Sequence, residues 1–173
     1  MQATIQENKE HFKGSTEKKV YELLEKLNIK YDKIDHEPVF TAFEAVKVVT
    51  KNIKGIGCKN LFLQDTAKNY YLYFVTETKR ADLKALRAII GSKRLSFASE
   101  EKLYELLKLT KGSVTPLGVV NDSGKVIVLL DKDLTGHKVL MHPGINTTTL
   151  SIEYSDLIRV LEYCGNKYIE VDL

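Results

Sequence analysis

Two strand-length segments, 59–64 and 70–76, are separated only by Asp65-Thr66-Ala67-Lys68-Asn69. So short a turn cannot carry the crossover that parallel strands need, so the segments pair as an antiparallel hairpin. Whatever else the chain forms must pack on that unit.

Helical periods flank it. Ser15 or Thr16 caps a helix in which Val20, Leu23, Leu24 and Leu27 share a face, and Asn28 ends it. Residues 31–36 alternate as a short strand until Pro38, and Thr41 opens a second helix carrying Ala42, Ala45, Val46 and Val49. Downstream, Asp82 starts a helix with Leu83, Leu86, Ile89 and Ile90 on one face and Gly91 at its end; Ser99 caps the next, with Leu103, Leu106 and Leu107. Segments 117–120 and 126–131 flank Asn121-Asp122-Ser123-Gly124 and read as a second hairpin. Strands at 139–142 and 149–153, a helix at 156–163 and a closing strand at 167–171 complete the pattern. Helices and hairpins are mixed throughout, without repeat or linker. The expectation is one α+β domain with a mixed, partly antiparallel sheet and surrounding helices, over residues 15–173, preceded by an extension at 1–14.

A chain of 173 residues buries a core without disulfides or metal. No apolar run approaches the roughly 18 residues of a membrane helix. The first residues, MQATIQENKEHFKG, contain no apolar signal segment, so a cytoplasmic protein with no membrane partner is expected. Cys58 and Cys164 have no CxxC spacing and are expected as free thiols, which excludes disulfide scaffolds and zinc ribbons. His137 and His142 lie five apart with no acid cluster beside them, so neither metal nor cofactor is expected.

The formal charge is only +3, from 26 basic and 23 acidic residues, but it is unevenly placed. Between positions 79 and 94, Lys79, Arg80, Lys84, Arg87, Lys93 and Arg94 face one acid, Asp82, a local +5 that leaves about −2 elsewhere. Lys84 and Arg87 are three apart on the polar side of the Asp82 helix. Such a face suits phosphates, or simply solvates the helix.

Side chains with chemistry are few. Gly112-Ser113-Val114-Thr115-Pro116 frees backbone groups for a ligand, or only connects two elements. Residues 142–149 gather His142, Asn146, Thr147, Thr148 and Thr149, which could touch a substrate or brace the loop. Cys58 reads as a buried, inert thiol. Lys59, at the sheet's edge, suits a phosphate or polar substrate and equally suits an edge gatekeeper. No nucleophile stands out.

Taken together, these segments resemble the YbaK-like, prolyl-tRNA-synthetase-associated editing domains. Gly112 to Pro116 matches that family's GxxxP loop. Lys59-Asn60-Leu61-Phe62-Leu63, Leu95-Ser96-Phe97-Ala98-Ser99, His142-Pro143 with Asn146 and Thr147, and His36-x-Pro38-Val39-Phe40-Thr41 follow in the family's order over roughly residues 15–166. Glu37 and Lys111 depart from the pattern without touching a proposed catalytic group. Within the family, the free-standing Ala-tRNA(Pro) deacylases are most similar.

The resemblance implies hydrolysis of the ester joining a wrong amino acid to the 3′ end of a tRNA, with a neighbouring ribose hydroxyl helping to activate water. It implies catalytic roles for Lys59 and for the Gly112 carbonyl. Substrate contacts would come from Asn60, Ser113, Val114, Thr115, Pro116, His142, Asn146 and Thr147, and tRNA contacts from Lys79, Arg80, Lys84 and Arg87. The expected partner is tRNA(Pro) mischarged with alanine, with prolyl-tRNA synthetase as a potential second partner and no DNA. Cys-tRNA(Pro) or Ser-tRNA deacylation and a non-catalytic tRNA- or synthetase-binding module are the alternatives. A pocket that excludes proline by size gains about 1–3 kcal/mol, so tRNA identity must share in selection.

Overall fold

The computed structural model describes residues 14–38 and 52–173. Numbered in chain order among these, the elements are α1 (Thr16–Lys26), β1 (Asp32–Asp35), β2 (Cys58–Asp65), β3 (Tyr70–Thr76), α2 (Leu83–Ile90), β4 (Leu95–Phe97), α3 (Glu100–Leu107), a 3-10 helix (Pro116–Asn121), β5 (Val126–Asp131), a 3-10 turn (Lys132–Leu134), β6 (Lys138–Met141), β7 (Thr148–Glu153), α4 (Tyr154–Cys164) and β8 (Tyr168–Val171). The expected extension lies outside the described residues except for Gly14, and the expected Thr41 helix lies wholly outside them.

The hairpin forms as expected: β2 and β3 pair antiparallel from Cys58 opposite Thr76 to Gln64 opposite Tyr70. Asp65 holds its turn, one carboxylate oxygen accepting from the Ala67 and Asn69 amides and the other from the Asn69 side chain and the Tyr71 hydroxyl. Burial alone would raise the Asp65 pKa; these bonds outweigh it and hold the carboxyl below the usual range. The hairpin sits inside a five-stranded sheet of order β4-β2-β3-β5-β8, where β4 and β3 flank β2 antiparallel while β3, β5 and β8 run parallel. A second sheet, β1-β7-β6, is antiparallel. Ile56, just before β2, bridges to Val139 and ties the two sheets together.

Two expectations are corrected. Residues 117–120 are not a strand, and 126–131 is not a hairpin arm but a parallel strand between β3 and β8. Pro116 fixes the first turn of the 3-10 helix, Thr115 caps it through the Leu117 amide (3.3 Å), and Leu117 to Val120 are buried on all sides. Burial all round erases the amphipathic period. Ile89, expected in the core, is 45% exposed, because the short α2 turns Leu83, Leu86 and Ile90 inward and leaves Ile89 at their side.

The five-stranded sheet is covered on both faces. On one, Phe74, Val128 and Leu130 meet α1, the 3-10 helix and α4, and Phe62, Leu72 and Val126 meet Leu103, Leu106 and Leu107 of α3. On the other, Leu63, Tyr71, Tyr73 and Leu129 lie under Leu86 of α2.

Candidate functional site

The 112–116 loop leaves α3 through Lys108 (φ 55°) and the buried Leu109. Gly112 takes φ 91°, a region open to glycine, which lets the chain turn directly after Lys111. The Ser113 hydroxyl donates to the Thr110 carbonyl (3.0 Å), and the buried Thr115 hydroxyl accepts from the Leu117 amide. Both hydroxyls brace the loop. Asn121 then clamps the region, donating to the Thr16 hydroxyl (2.7 Å) and the Leu107 carbonyl (2.9 Å) while accepting from Lys19 (3.1 Å).

Residues 142–147 join β6 to β7. His142 Nδ1 lies 2.8 Å from the Thr148 carbonyl, which can only accept, so Nδ1 carries the hydrogen and Nε2 keeps its lone pair. Burial lowers the imidazole pKa; the bond to Thr148 opposes this, and neighbouring His36 lowers it further. The net direction is downward. The two rings stand 6.1 Å apart. His36, which sequence reasoning noted only as part of a family motif, bonds the Glu37 carbonyl through Nδ1 and the Thr149 hydroxyl through Nε2, each at 2.8 Å. Thr148 donates to Asp35 (2.7 Å), so Thr148 and Thr149 hold β7 to β1. Asn146 and Thr147 are half-buried. Gly144 packs so closely on α1 that a Cβ there would fall 2.8 Å from the Thr16 methyl. Thr16 thus touches both the 142–147 segment and Asn121, the last residue of the 3-10 helix that follows the 112–116 loop.

Lys59 and Asn60 are neighbours in β2 with different surroundings. The unbroken register puts Lys59 on the side of Leu61 and Leu63, the face on which α2 packs, and Asn60 on the side of Cys58 and Phe62, where the 112–116 loop lies. The Asn60 Oδ1 is buried and has no hydrogen-bond partner among the described residues. Leaving such an oxygen unsatisfied costs about 1–3 kcal/mol, which marks a place for a donor from a ligand. Ladder alternation also turns the Asn60 backbone N–H and C=O away from β3, toward the side on which, among the described residues, segment 95–98 reaches only as far as Phe62. Cys58 is no nucleophile: burial pushes its thiol pKa well up, against a smaller opposing contact from the Leu140 backbone, and Sγ donates to the Ile56 carbonyl (3.3 Å).

The basic segment divides. Lys79 turns inward to Asp131 and Asp133, each at 2.8 Å, and to the Leu173 carbonyl at 3.0 Å. Burial alone would lower its pKa, but the two carboxylates raise it. Arg80, Lys84, Arg87, Lys93 and Arg94 remain exposed. Because α2 packs on the sheet face opposite the 112–116 loop, this patch shares a side with Lys59 rather than with Gly112.

Among the described residues no group of three metal ligands forms. The described residues thus include an amide oxygen of Asn60 without a hydrogen-bond partner among them, an imidazole lone pair on His142 and a constrained turn at Gly112.

The chain belongs to the aminoacyl-tRNA editing domain family, which matches residues 36–160. It is 42% identical over 153 residues to the prolyl-tRNA editing protein ProX of Acetoanaerobium sticklandii, covering 87% of this chain and 93% of that protein. It is also 36% identical over 149 residues to prolyl-tRNA synthetase associated domain-containing protein 1 of Danio rerio, covering 84% and 80% of the two chains. A crystal structure of a proposed trans-editing enzyme for prolyl-tRNA synthetase shares the fold, with a TM-score of 0.68 at 23% identity over 93% of this chain and 99% of the other.

Proposed function

We propose that this protein is a trans-editing aminoacyl-tRNA deacylase acting on tRNA(Pro), with the alanyl ester as its substrate. The observation that carries the reading is the buried Oδ1 of Asn60, without a hydrogen-bond partner among the described residues, on the sheet side where the 112–116 loop lies and where Cys58, Ser113 and Thr115 are each engaged in local hydrogen bonds. The name of the 42%-identical relative, a prolyl-tRNA editing protein, supports the same substrate class.

Water attacks the ester carbonyl carbon, the bond from that carbon to the ribose oxygen breaks, and the proton passes to the ribose oxygen. The products are the amino acid and tRNA(Pro) with a free terminal hydroxyl. The neighbouring ribose hydroxyl and the Gly112 carbonyl orient the water, so the protein contributes position rather than a covalent intermediate. Asn60 Oδ1 accepts from the substrate, His142 Nε2 accepts a second hydrogen bond, and the 112–116 and 146–147 residues shape the pocket. Lys59 holds the 3′ end by its charge. Arg80, Lys84 and Arg87 contact backbone phosphates; Lys79 supports that segment through Asp131.

Incubating the purified protein with Ala-, Cys-, Ser- and Pro-charged tRNA(Pro) tests this. The alanyl ester is expected to be lost fastest and the prolyl ester to survive. Loss of no ester overturns the enzyme reading, and preferential loss of the cysteinyl or seryl ester overturns the alanine assignment. Lys59→Ala is expected to lower the rate, and a wild-type rate removes Lys59 from the mechanism.

A further inference from the structure

Among the described residues Phe97 is the most exposed of the large apolar side chains, at 62%, although it ends a strand whose Leu95 is buried. It belongs to a segment, 95–99, to which the proposed chemistry gives no task. β4 is the outermost strand of its sheet. The Ala98 amide donates to the Phe62 carbonyl at 3.0 Å, so Ser96 and Ala98 direct their backbone groups toward β2 while those of Leu95 and Phe97 point to the other edge, where no described strand pairs. Phe97 therefore presents a bare aromatic ring together with an outward N–H and C=O.

The surroundings are cationic. Phe97 pairs with Leu63, which puts its ring on the side of the sheet that carries α2, with Lys84 and Arg87 exposed on that helix and Lys93 and Arg94 exposed just before the strand. The nearby acids Glu100 and Glu101 open α3, which packs on the opposite face. On the ring's own face Lys59 lies four residues along β2 from Leu63, about 13 Å at strand rise. An aromatic platform beside cations is how proteins hold single-stranded nucleic acid: bases stack on rings and phosphates meet Lys and Arg.

We propose that Phe97 is a stacking platform for an unpaired base near the 3′ end of the tRNA, with Lys93 and Arg94 on the adjoining phosphates and Lys59 further along the same track. The proposal rests on the reading of the chain as a tRNA-acting protein, but not on its being a catalyst.

The test is equilibrium binding of uncharged tRNA(Pro), intact or lacking its unpaired 3′ nucleotides, to wild type, Phe97→Ala and Phe97→Trp. Wild type is expected to bind intact tRNA roughly 5- to 150-fold more tightly than Phe97→Ala does. Truncation should weaken wild type by a similar factor and leave Phe97→Ala nearly unaffected, with Phe97→Trp behaving as wild type. The salt dependence of binding should stay unchanged in Phe97→Ala, since no cation is removed. Equal affinity of wild type and Phe97→Ala for intact tRNA overturns the proposal, as does an equal loss for both tRNAs. Melting of each variant at the wild-type temperature separates a binding effect from a folding one. A wild type that hydrolyses no ester yet shows this pattern defeats the deacylase reading and leaves the platform standing.

Discussion

The His142 imidazole carries a pH dependence of its own. The bond from His142 Nδ1 to the Thr148 carbonyl fixes the tautomer, and burial disfavours the cation. An imidazole whose folded pKa lies below its unfolded value binds fewer protons folded than unfolded between the two, so stability rises with pH across that interval. His142 therefore costs stability as pH falls from about 6.5, the ordinary histidine value. His142→Gln keeps a donor for Thr148 and cannot be protonated. Thermal melts between pH 7 and 5 should show a shallower fall in Tm for this variant than for wild type. The further loss below about pH 4 should persist in both, because it belongs to carboxylates such as Asp65 and Asp131, whose depressed folded pKa values protect the fold until they protonate. Equal slopes from pH 7 to 5 would show that His142 ionises freely.

Elements defined by their own residues were legible in the sequence. Ser15, Asp82 and Ser99 cap their helices through the amides of Lys18, Ala85 and Lys102, each three residues ahead, so the signal and its consequence sit within one turn. The β2–β3 hairpin is similarly local. The 116–121 segment was not legible because its conformation is decided by Thr115, Pro116 and a neighbour packed against Gly118 rather than by a period. A Cβ on Gly118 would stand 2.6 Å from Leu109 Cδ1, and Leu109 is itself buried just ahead of the 112–116 loop. Gly118→Ala is expected to cost about 1–3 kcal/mol as an overpacked core position. By displacing Leu109 it should also lower deacylation under conditions where the variant remains folded. Denaturant midpoints and single-turnover rates on Ala-tRNA(Pro) measure the two effects. An unchanged rate in a destabilised variant would uncouple Leu109 from the loop. Among the candidate residues, His142 and Asn60 were legible only as polar side chains in suggestive segments, whereas the empty hydrogen-bond valence of Asn60 among the described residues and the opposite siding of Lys59 depend on strand register, which one strand alone does not reveal.

At the scale of the molecule, the weak net charge of +3 conceals two kinds of cation that composition cannot separate. Lys79 and Lys84 are equivalent in a count, yet Lys79 meets a carboxylate 52 positions away that is wholly buried, and Lys84 faces solvent. The first is part of the fold: Thr76 and Lys79 together hold Asp131 ionised at the end of β5, despite a burial that would otherwise raise its pKa. Lys79→Met leaves that carboxylate without its cation and should destabilise the protein by about 3 kcal/mol. It should leave the salt dependence of tRNA binding as it was. Replacing Lys84 and Arg87 together by glutamine should do the reverse, with a melting temperature near wild type and a plot of log affinity against log salt concentration shallower by about 1 to 2. Binding measured from low to moderate salt on both variants distinguishes the two roles. A slope lost with Lys79→Met, or retained in the double variant, would place the phosphate contacts elsewhere than on the exposed face of α2.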